Sequence, residues 1–380
     1  MLRKKYSFLF VVVLLVFFLA ACGSDEETGE NPPQAPTENG QESSSNNNNE
    51  PAENSEQAEA EDVTLNIFVP QTSVELESLM EQYGRPIQDA YPHITVEFSK
   101  PPSTNVQEHI STLIASDQLP DIILSADYNY TRFIKPFGLE YDISELISKH
   151  QYDLAQIEES SVVAARNLSG GEGLAGLPYQ RATIGLLYNI DLFEQFAQEQ
   201  PFDGMTWDET YTLAQSMTRF ENDTQYKGFI TQSFDMAWLN QLSVGHVDPE
   251  TDETVFLSDE RWSDVVNNWV RFYEIAGNEF TETSFSRVKN SFYGAQVAAM
   301  YAYYFPTDEQ EVNGVNWDIV RLPEFADRPG VGPQFRMDLA FIMSTSEHKD
   351  DAFKAITVLT EDPFQRELSE SGRGLPVSSN

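Results

Sequence analysis

The sequence predicts an α/β fold with a parallel sheet in its first half. Three β-rich segments alternate with two segments of helical periodicity, in the order 63–69, 74–83, 94–98, 106–115 and 121–124. Strands that alternate with helices at this spacing are typical of βαβ units. The third strand ends in three apolar residues, as expected for a strand that is covered on both faces.

Polar and aromatic residues follow two of these strands directly. Gln71 and Thr72 come after the first strand, and Asp127 and Tyr128 come after the third. In open α/β sheets, ligands bind beyond the carboxyl ends of the strands. We therefore expect these four residues at the edge of a ligand site.

The N-terminus has the pattern of an export signal. Arg3, Lys4 and Lys5 precede an unbroken apolar run from Phe8 to Phe18, which is shorter than the roughly 20 residues of a membrane-spanning helix. Residues 19–22, Leu-Ala-Ala-Cys, resemble the lipobox of bacterial lipoproteins. The resemblance implies that residues 1–21 are removed and that Cys22 carries the lipid. Two or more acyl chains give a stable membrane anchor.

Residues 22–61 differ sharply in composition from the rest of the chain. From residue 23 onward they contain 11 acidic residues, no Lys or Arg and no aromatic residue. Such a segment buries too little apolar surface to offset its conformational entropy, and we expect a disordered tether.

Charge and cysteine content exclude several classes of function. The 380 residues carry a formal net charge of −38, with 23 Lys and Arg against 61 Asp and Glu. Binding to nucleic acid needs clustered cations, so we expect that the protein does not bind nucleic acid. The single cysteine cannot form an internal disulfide, a cysteine zinc site or an iron–sulfur cluster.

The second half of the chain also alternates between strands and helices. We predict strands at 183–188, 297–301, 317–322 and 339–343, and helices at 191–197, 207–220, 234–242, 258–276, 350–359 and 363–368. Thr206 and Glu209 form the pattern of a capping box at the start of the helix that begins at Trp207.

Six motifs, in order along residues 62–380, resemble the extracellular solute-binding proteins of ABC importers, in particular the family that includes the maltose-binding proteins. They are Pro120–Ile123, Gly176–Tyr179 with Leu187–Phe193, Met205–Glu209, Tyr293–Met300, Trp317–Asp318 with Leu322–Pro323, and Gly374–Val377.

The resemblance implies a two-lobed, periplasmic-binding-protein-like α/β fold with crossing hinge segments. Lobe one would comprise residues 62–178 and 310–380, and lobe two residues 179–309. Members usually continue with further helices after the last motif, whereas this chain ends at Asn380. The C-terminal part is therefore short, either because the sequence is a fragment or because the protein is naturally short.

A sugar site needs aromatic rings for the apolar faces of the sugar, and carboxylates, amides or Arg for its hydroxyl groups. From their places in the family pattern, we expect further ligand contacts from Tyr179, Phe234, Asp235, Trp238, Tyr303, Tyr304, Arg336 and Asp338.

Catalytic and cofactor motifs carry little weight in this sequence. Residues 171–176 match G-x-G-x-x-G, but the strand before and the helix after that a dinucleotide site needs are missing. The acidic residues at 248–252 mimic a calcium loop, with Glu253 where the loop needs Gly. We expect no metal, no cofactor and no catalytic residue.

The function expected from the resemblance is that of a lipid-anchored receptor on the extracellular face of the cell membrane. It would act as a monomer, bind a sugar or oligosaccharide and deliver it to the permease subunits of an ABC transporter. Two alternatives remain open. The same fold could bind a peptide, a polyamine or another solute, or act as a surface sensor. The protein could also be a surface glycosidase.

Overall fold

The computed structural model describes residues 61–171, 173–248, 251, 253–279, 285–305 and 314–379. The expected signal peptide, Cys22, the tether up to residue 60 and the expected lobe boundary at residue 309 lie outside these residues. Within them, no helix combines the length and the apolar character that crossing a bilayer requires.

The described residues contain ten β-strands. They are β1 (Val63–Phe68), β2 (Ile94–Ser99), β3 (Ile122–Ala126), β4 (Leu177–Ala182), β5 (Ile184–Asn189), β6 (Arg219–Glu221), β7 (Thr224–Thr231), β8 (Ala298–Tyr304), β9 (Trp317–Arg321) and β10 (Arg336–Ile342).

They also contain twelve α-helices. These are α1 (Leu76–Leu79), α2 (Arg85–Ala90), α3 (Val106–Ala115), α4 (Ser144–Lys149), α5 (Glu159–Leu168), α6 (Ile190–Gln195), α7 (Trp207–Met217), α8 (Ser233–Trp238), α9 (Arg261–Val270), α10 (Phe285–Tyr293), α11 (Lys349–Val358) and α12 (Asp362–Glu370). A π-helical turn at Met80–Gly84 joins α1 to α2, and another lies at Tyr130–Ile134. Turns of 3₁₀ helix lie at Lys135–Phe137, Leu154–Gln156 and Arg271–Glu274.

Sheet one has the strand order β2-β1-β3-β10-β4. Strands β1, β2 and β3 run parallel, which confirms the parallel sheet predicted from the sequence, and β10 is antiparallel to both β3 and β4. Along β1 the apolar Val63, Leu65 and Ile67 are buried while Thr64 and Asn66 are exposed, because side chains of a strand alternate between its two faces. Sheet one and its helices surround one hydrophobic core and form lobe one.

Sheet two has the order β6-β7-β8-β5-β9 and forms lobe two. Only β7 and β8 pair in parallel, and the other neighbours are antiparallel. Its main core is separate from that of lobe one and is rich in aromatic rings, such as Phe193, Trp207, Phe229 and Phe272. Both sheets belong to the compact unit that begins at Glu59.

Two segments connect the sheets. Strand β4 belongs to sheet one and β5 to sheet two, so Thr183 alone separates them. The return runs through residues 322–335, between β9 in sheet two and β10 in sheet one. Strand pairing therefore places both crossings later than the division at 178 and 309 that the sequence suggested. The Thr183 hydroxyl donates to the Gln334 carbonyl at 3.0 Å, which ties the two segments together.

Helix α7 begins at the predicted capping box. The Thr206 hydroxyl accepts the Glu209 backbone N–H at 3.2 Å, and the Glu209 carboxylate accepts the Thr206 backbone N–H at 2.8 Å. Both bonds satisfy N–H groups that the first turn of a helix leaves without a partner.

Candidate functional site

A cavity of about 1050 Å³ lies between the two lobes. Lobe one contributes the end of β1, the end of β3 and strand β4, and lobe two contributes β5, the end of β8 and β9. The crossing at Thr183 and part of the return segment line it as well. The cavity therefore lies where lobe movement about the crossings would open or close it.

Arg336 and Asp338 project into this cavity from the start of β10. They are two residues apart, so they lie on the same face of the strand. Arg336 Nη2 donates to Asp338 Oδ2 at 3.2 Å, and the Arg336 guanidinium lies 5.4 Å from the centroid of the Tyr304 ring. The neighbouring Asp338 carboxylate is the main cause of the raised pKa of Arg336. Arg336 is therefore a fixed cation between the lobes.

Two tyrosines of lobe one flank this ion pair. The rings of Tyr83 and Tyr179 meet edge-on with centroids 5.9 Å apart, and their hydroxyl groups are hydrogen-bonded to each other. Burial raises the pKa of Tyr83 to about 12 and that of Tyr179 well above its ordinary value. Both hydroxyl groups consequently stay protonated. Tyr179 donates to Tyr83, so the Tyr83 O–H is the one that can donate to a ligand.

The end of β8 supplies two tyrosines from lobe two. Tyr303 stacks on the Tyr301 ring at 4.7 Å, with the planes 3° apart, which holds its ring in place. The Tyr304 hydroxyl donates to the carboxylate of Asp235. Burial and the nearby Asp235 charge raise the pKa of Tyr304.

Asp127 accepts two backbone hydrogen bonds at the end of β3. The donors are the N–H groups of Tyr128 at 2.7 Å and of Met337 at 3.3 Å. Burial nevertheless raises its pKa from 3.8 to about 6. Asp127 is therefore held by the backbone of lobe one and does not reach into the cavity.

Helix α8 places three predicted residues on lobe two. Phe234 and Trp238 are one helical turn apart, and their rings stack with centroids 5.9 Å apart. Asp235 is buried, and its loss of hydration raises its pKa to about 6. Asp235 lies beside Arg336 and Tyr304, and none of these three side chains is part of the described wall of the cavity.

The structure thus brings half of the predicted ligand residues into the cavity wall, namely Gln71, Tyr179, Tyr303, Tyr304, Arg336 and Asp338. Asp127, Tyr128, Asp235 and Trp238 lie next to this group, Phe234 is 64% exposed, and Thr72 is exposed on the loop after β1. Sequence reasoning missed Tyr83, Arg181, Lys289, Arg321 and Arg373, which also line the cavity. Of these, Arg321 and Arg373 directly precede residues of a family motif, Leu322–Pro323 and Gly374–Val377.

The donor set of the described residues does not favour a metal site. No group of three or more His, Cys, Asp or Glu side chains in this part of the chain is placed to hold an ion.

A family model described as bacterial extracellular solute-binding protein matches residues 73–366. No curated protein sequence matches the chain significantly.

Solved structures share the fold at low sequence identity. An ABC substrate-binding protein of Listeria monocytogenes in complex with cycloalternan is 16% identical, with a TM-score of 0.68 over 83% of this chain and 80% of its own. The sugar-binding protein MalE of Xanthomonas citri is 21% identical, with a TM-score of 0.66 over 83% and 80%. Maltose-bound MalE3 of T. maritima is 17% identical, with a TM-score of 0.63 over 83% and 82%. These likenesses establish the two-lobed fold.

Proposed function

The chain belongs to the family of bacterial extracellular solute-binding proteins, and we propose that it captures a sugar or oligosaccharide between its lobes and delivers it to the permease of an ABC importer. The observation that carries this proposal is the cavity of about 1050 Å³ lined by both lobes. Ligand cavities are ordinarily about 300–1000 Å³, so this one has room for more than one sugar ring.

The chemistry of the wall suits a carbohydrate. Tyr179, Tyr303 and Tyr304 offer ring faces and hydroxyl groups, and the Arg336–Asp338 pair offers both a donor and an acceptor. Hydroxyl groups of a sugar both donate and accept, whereas its C–H faces pack on aromatic rings. The cycloalternan and maltose complexes of proteins with this fold support the same ligand class.

Closure of the lobes would link binding to delivery. Thr183 and residues 322–335 connect the lobes, and a ligand that contacts both lobes favours the closed arrangement. The closed receptor is then the form that the permease recognises. In this proposal the ligand is released unchanged.

Lipid attachment at Cys22 would hold the receptor at the outer face of the cell membrane, and the acidic segment up to residue 61 would act as its tether. A Cys22→Ser chain should lose labelled fatty acid and appear in the medium. A Ser24→Ala chain should keep both the label and the membrane location. If the Cys22→Ser chain stays at the membrane like the Ser24→Ala chain, the proposed anchor is contradicted.

The proposal is tested by thermal unfolding of the full chain in the presence of a carbohydrate panel. A cognate ligand at a hundredfold excess over its Kd should raise the unfolding free energy by about 2.7 kcal/mol. Chromatography of the ligand after prolonged incubation should recover it intact. Stabilisation by spermidine or a peptide and by no carbohydrate would contradict the sugar assignment, and released monosaccharide would indicate a glycosidase.

A further inference from the structure

The described wall of the cavity has more basic than acidic residues, whereas the protein as a whole is strongly acidic. Among the described residues, five Lys and Arg line the cavity, against three Asp and Glu, although the chain as a whole has 23 Lys and Arg against 61 Asp and Glu. The basic residues are Arg181, Lys289, Arg321, Arg336 and Arg373. The acidic ones are Asp203, Glu324 and Asp338. Because charges beyond about 8–10 Å are screened in salt, the wall rather than the net charge of −38 decides which ligand charge is favoured.

The basic residues come from both lobes. Arg181 in β4, Arg336 in β10 and Arg373 after α12 belong to lobe one. Lys289 in α10 and Arg321 at the end of β9 belong to lobe two. A ligand group between the lobes would therefore meet cations from two sides when the lobes close.

Within the described wall, some hydrogen-bond donors have no acceptor in the protein. The Tyr83, Tyr179 and Tyr304 hydroxyl groups stay protonated because burial raises the pKa of each; Tyr304 donates to Asp235 and Tyr179 to Tyr83, so the Tyr83 O–H remains for a ligand. Arg336 donates through Nη2 to Asp338, and its buried Nε has no acceptor among the described residues. A neutral sugar donates as many hydrogen bonds as it accepts, whereas a carboxylate or sulfate only accepts.

Acidic partners outside the wall do not remove this bias. Arg181 pairs with Glu158, and Arg373 Nη2 lies 2.8 Å from Glu367 Oε1. Glu158 and Glu367 are 40% and 60% exposed, whereas Arg181 and Arg373 are 21% and 16% exposed; within the wall itself, Arg321 lies 3.8 Å from the exposed Asp203. Of these three pairs, the Arg321–Asp203 pair is exposed at both partners, and because such pairs contribute only about 0–1 kcal/mol, a ligand anion can compete for Arg321.

We propose that the ligand is an anionic carbohydrate, a saccharide that carries a carboxylate or a sulfate or phosphate ester. The proposal rests on the proposed function and narrows its ligand class. The anionic group binds between the basic residues of the two lobes, and the sugar rings pack on the tyrosines.

The first test is isothermal titration of the full chain with matched ligands. The probes are a uronic acid trisaccharide, its fully methyl-esterified form, a sulfated disaccharide and the unsulfated disaccharide. We expect each anionic probe to bind at least tenfold more tightly than its neutral counterpart, and its Kd to rise between 20 and 300 mM NaCl. Preference for the uronide or for the sulfated probe identifies the anionic group.

Tighter or equal binding of both neutral counterparts would overturn the anionic proposal while leaving the sugar receptor intact. Binding of none of the four probes, together with no response to a wider carbohydrate panel, would overturn the proposed function and this narrower proposal with it.

The second test removes one cation from the wall. Arg321→Gln should weaken binding of the anionic probe about three- to tenfold and leave the neutral counterpart unchanged. Arg85→Gln is the matched control, since Arg85 and Arg321 are 64% and 70% exposed and each has one acidic partner, but Arg85 lies outside the cavity. An Arg321→Gln chain with unchanged affinity, or with an equal loss for both probes, would contradict the proposal.

Discussion

The Tyr128 ring meets the Trp238 ring edge-on, with centroids 6.0 Å apart and planes at 86°. Tyr128 follows β3 in lobe one and Trp238 ends α8 in lobe two, so the two rings join the lobes. Tyr128 also lies within electrostatic reach of Arg336, the cation at the centre of the site. The contact between the two lobes therefore lies next to the ligand site.

A double-mutant cycle tests this contact. Tyr128→Leu and Trp238→Leu should show a coupling of about 0.5–1.5 kcal/mol in urea unfolding, because edge-to-face rings attract each other beyond their burial. The same pair should also couple in ligand affinity, since the contact holds the lobes together. Tyr188 and Phe193, which meet edge-on at 5.7 Å within lobe two, should couple in stability alone. Additive effects of the Tyr128 and Trp238 changes would show that the rings do not join the lobes.

The buried carboxylates should make stability depend on pH. Burial raises the pKa of Asp127 and of Asp235 from 3.8 to about 6, so the folded chain holds these protons more tightly than the unfolded chain does. Between about pH 4 and 6 the unfolded chain loses them first, and the contribution of each group to stability falls as the pH rises. Asp235→Asn should remove one of these two decreases. The loss of unfolding free energy between pH 4 and pH 7 should therefore be about 1–3 kcal/mol smaller in the variant than in the unchanged chain.

Glu209 supplies a control whose effect on the pH dependence of stability has the opposite sign. Hydrogen bonds from Thr206 lower its pKa, so its contribution is present above its unfolded pKa and is lost as the pH falls. Urea unfolding at pH 4 and 7 should therefore show Glu209→Gln losing stability mainly at pH 7. If Asp235→Asn and Glu209→Gln change the pH dependence in the same direction, Asp235 does not have a raised pKa.

Gly228 should tolerate no side chain. A Cβ atom at this position of β7 would lie 2.0 Å from the Ala214 carbonyl oxygen in α7, so the helix and the sheet would have to separate. Gly228→Ala should lower the unfolding free energy by about 1–3 kcal/mol, measured by urea denaturation. Gly332→Ala is the control because a Cβ there meets open space. Equal stability of the two variants would rule out the close approach of α7 to β7.

Loss of the capping box should weaken α7. Thr206→Ala removes the side-chain acceptor at the helix start and should cost about 1 kcal/mol in thermal unfolding. Thr212→Ala, on the exposed face of the same helix, should change stability by less than about 0.5 kcal/mol. A Thr206→Ala chain as stable as the Thr212→Ala chain would mean that the cap contributes nothing.

The first lobe and the capped helix were predictable because each has a local signal. The period of the apolar residues in β1 and the Thr206–Glu209 spacing both act within a few residues. The hairpin of β6 and β7 was missed, since Thr224–Lys227 shows no apolar alternation. Its signal lay in the turn, where Asn222 and Asp223 have φ of 51° and 59°, as a two-residue hairpin requires.

The site was predictable only where its residues adjoin strand ends or family motifs. Arg336 and Asp338 were found because they directly precede the predicted strand at 339–343, and the structure extends this strand to begin at Arg336. Lys289 has no such signal, because only the packing of α10 in lobe two turns it toward the cavity. Arg321 was missed although it ends β9 and precedes the Leu322–Pro323 motif. The basic wall is thus a property of tertiary structure, and the sequence total of −38 pointed the other way.

The central claim is that the cavity between the lobes holds the carbohydrate. Isothermal titration of the best saccharide from the panel into Tyr303→Ala tests it most directly, because Tyr303 lines the cavity, whereas Tyr226, also half-buried, does not. We predict one site per chain, an affinity at least tenfold weaker for Tyr303→Ala, and an unchanged affinity for Tyr226→Ala. Equal affinity of both variants and the unchanged chain would contradict the claim.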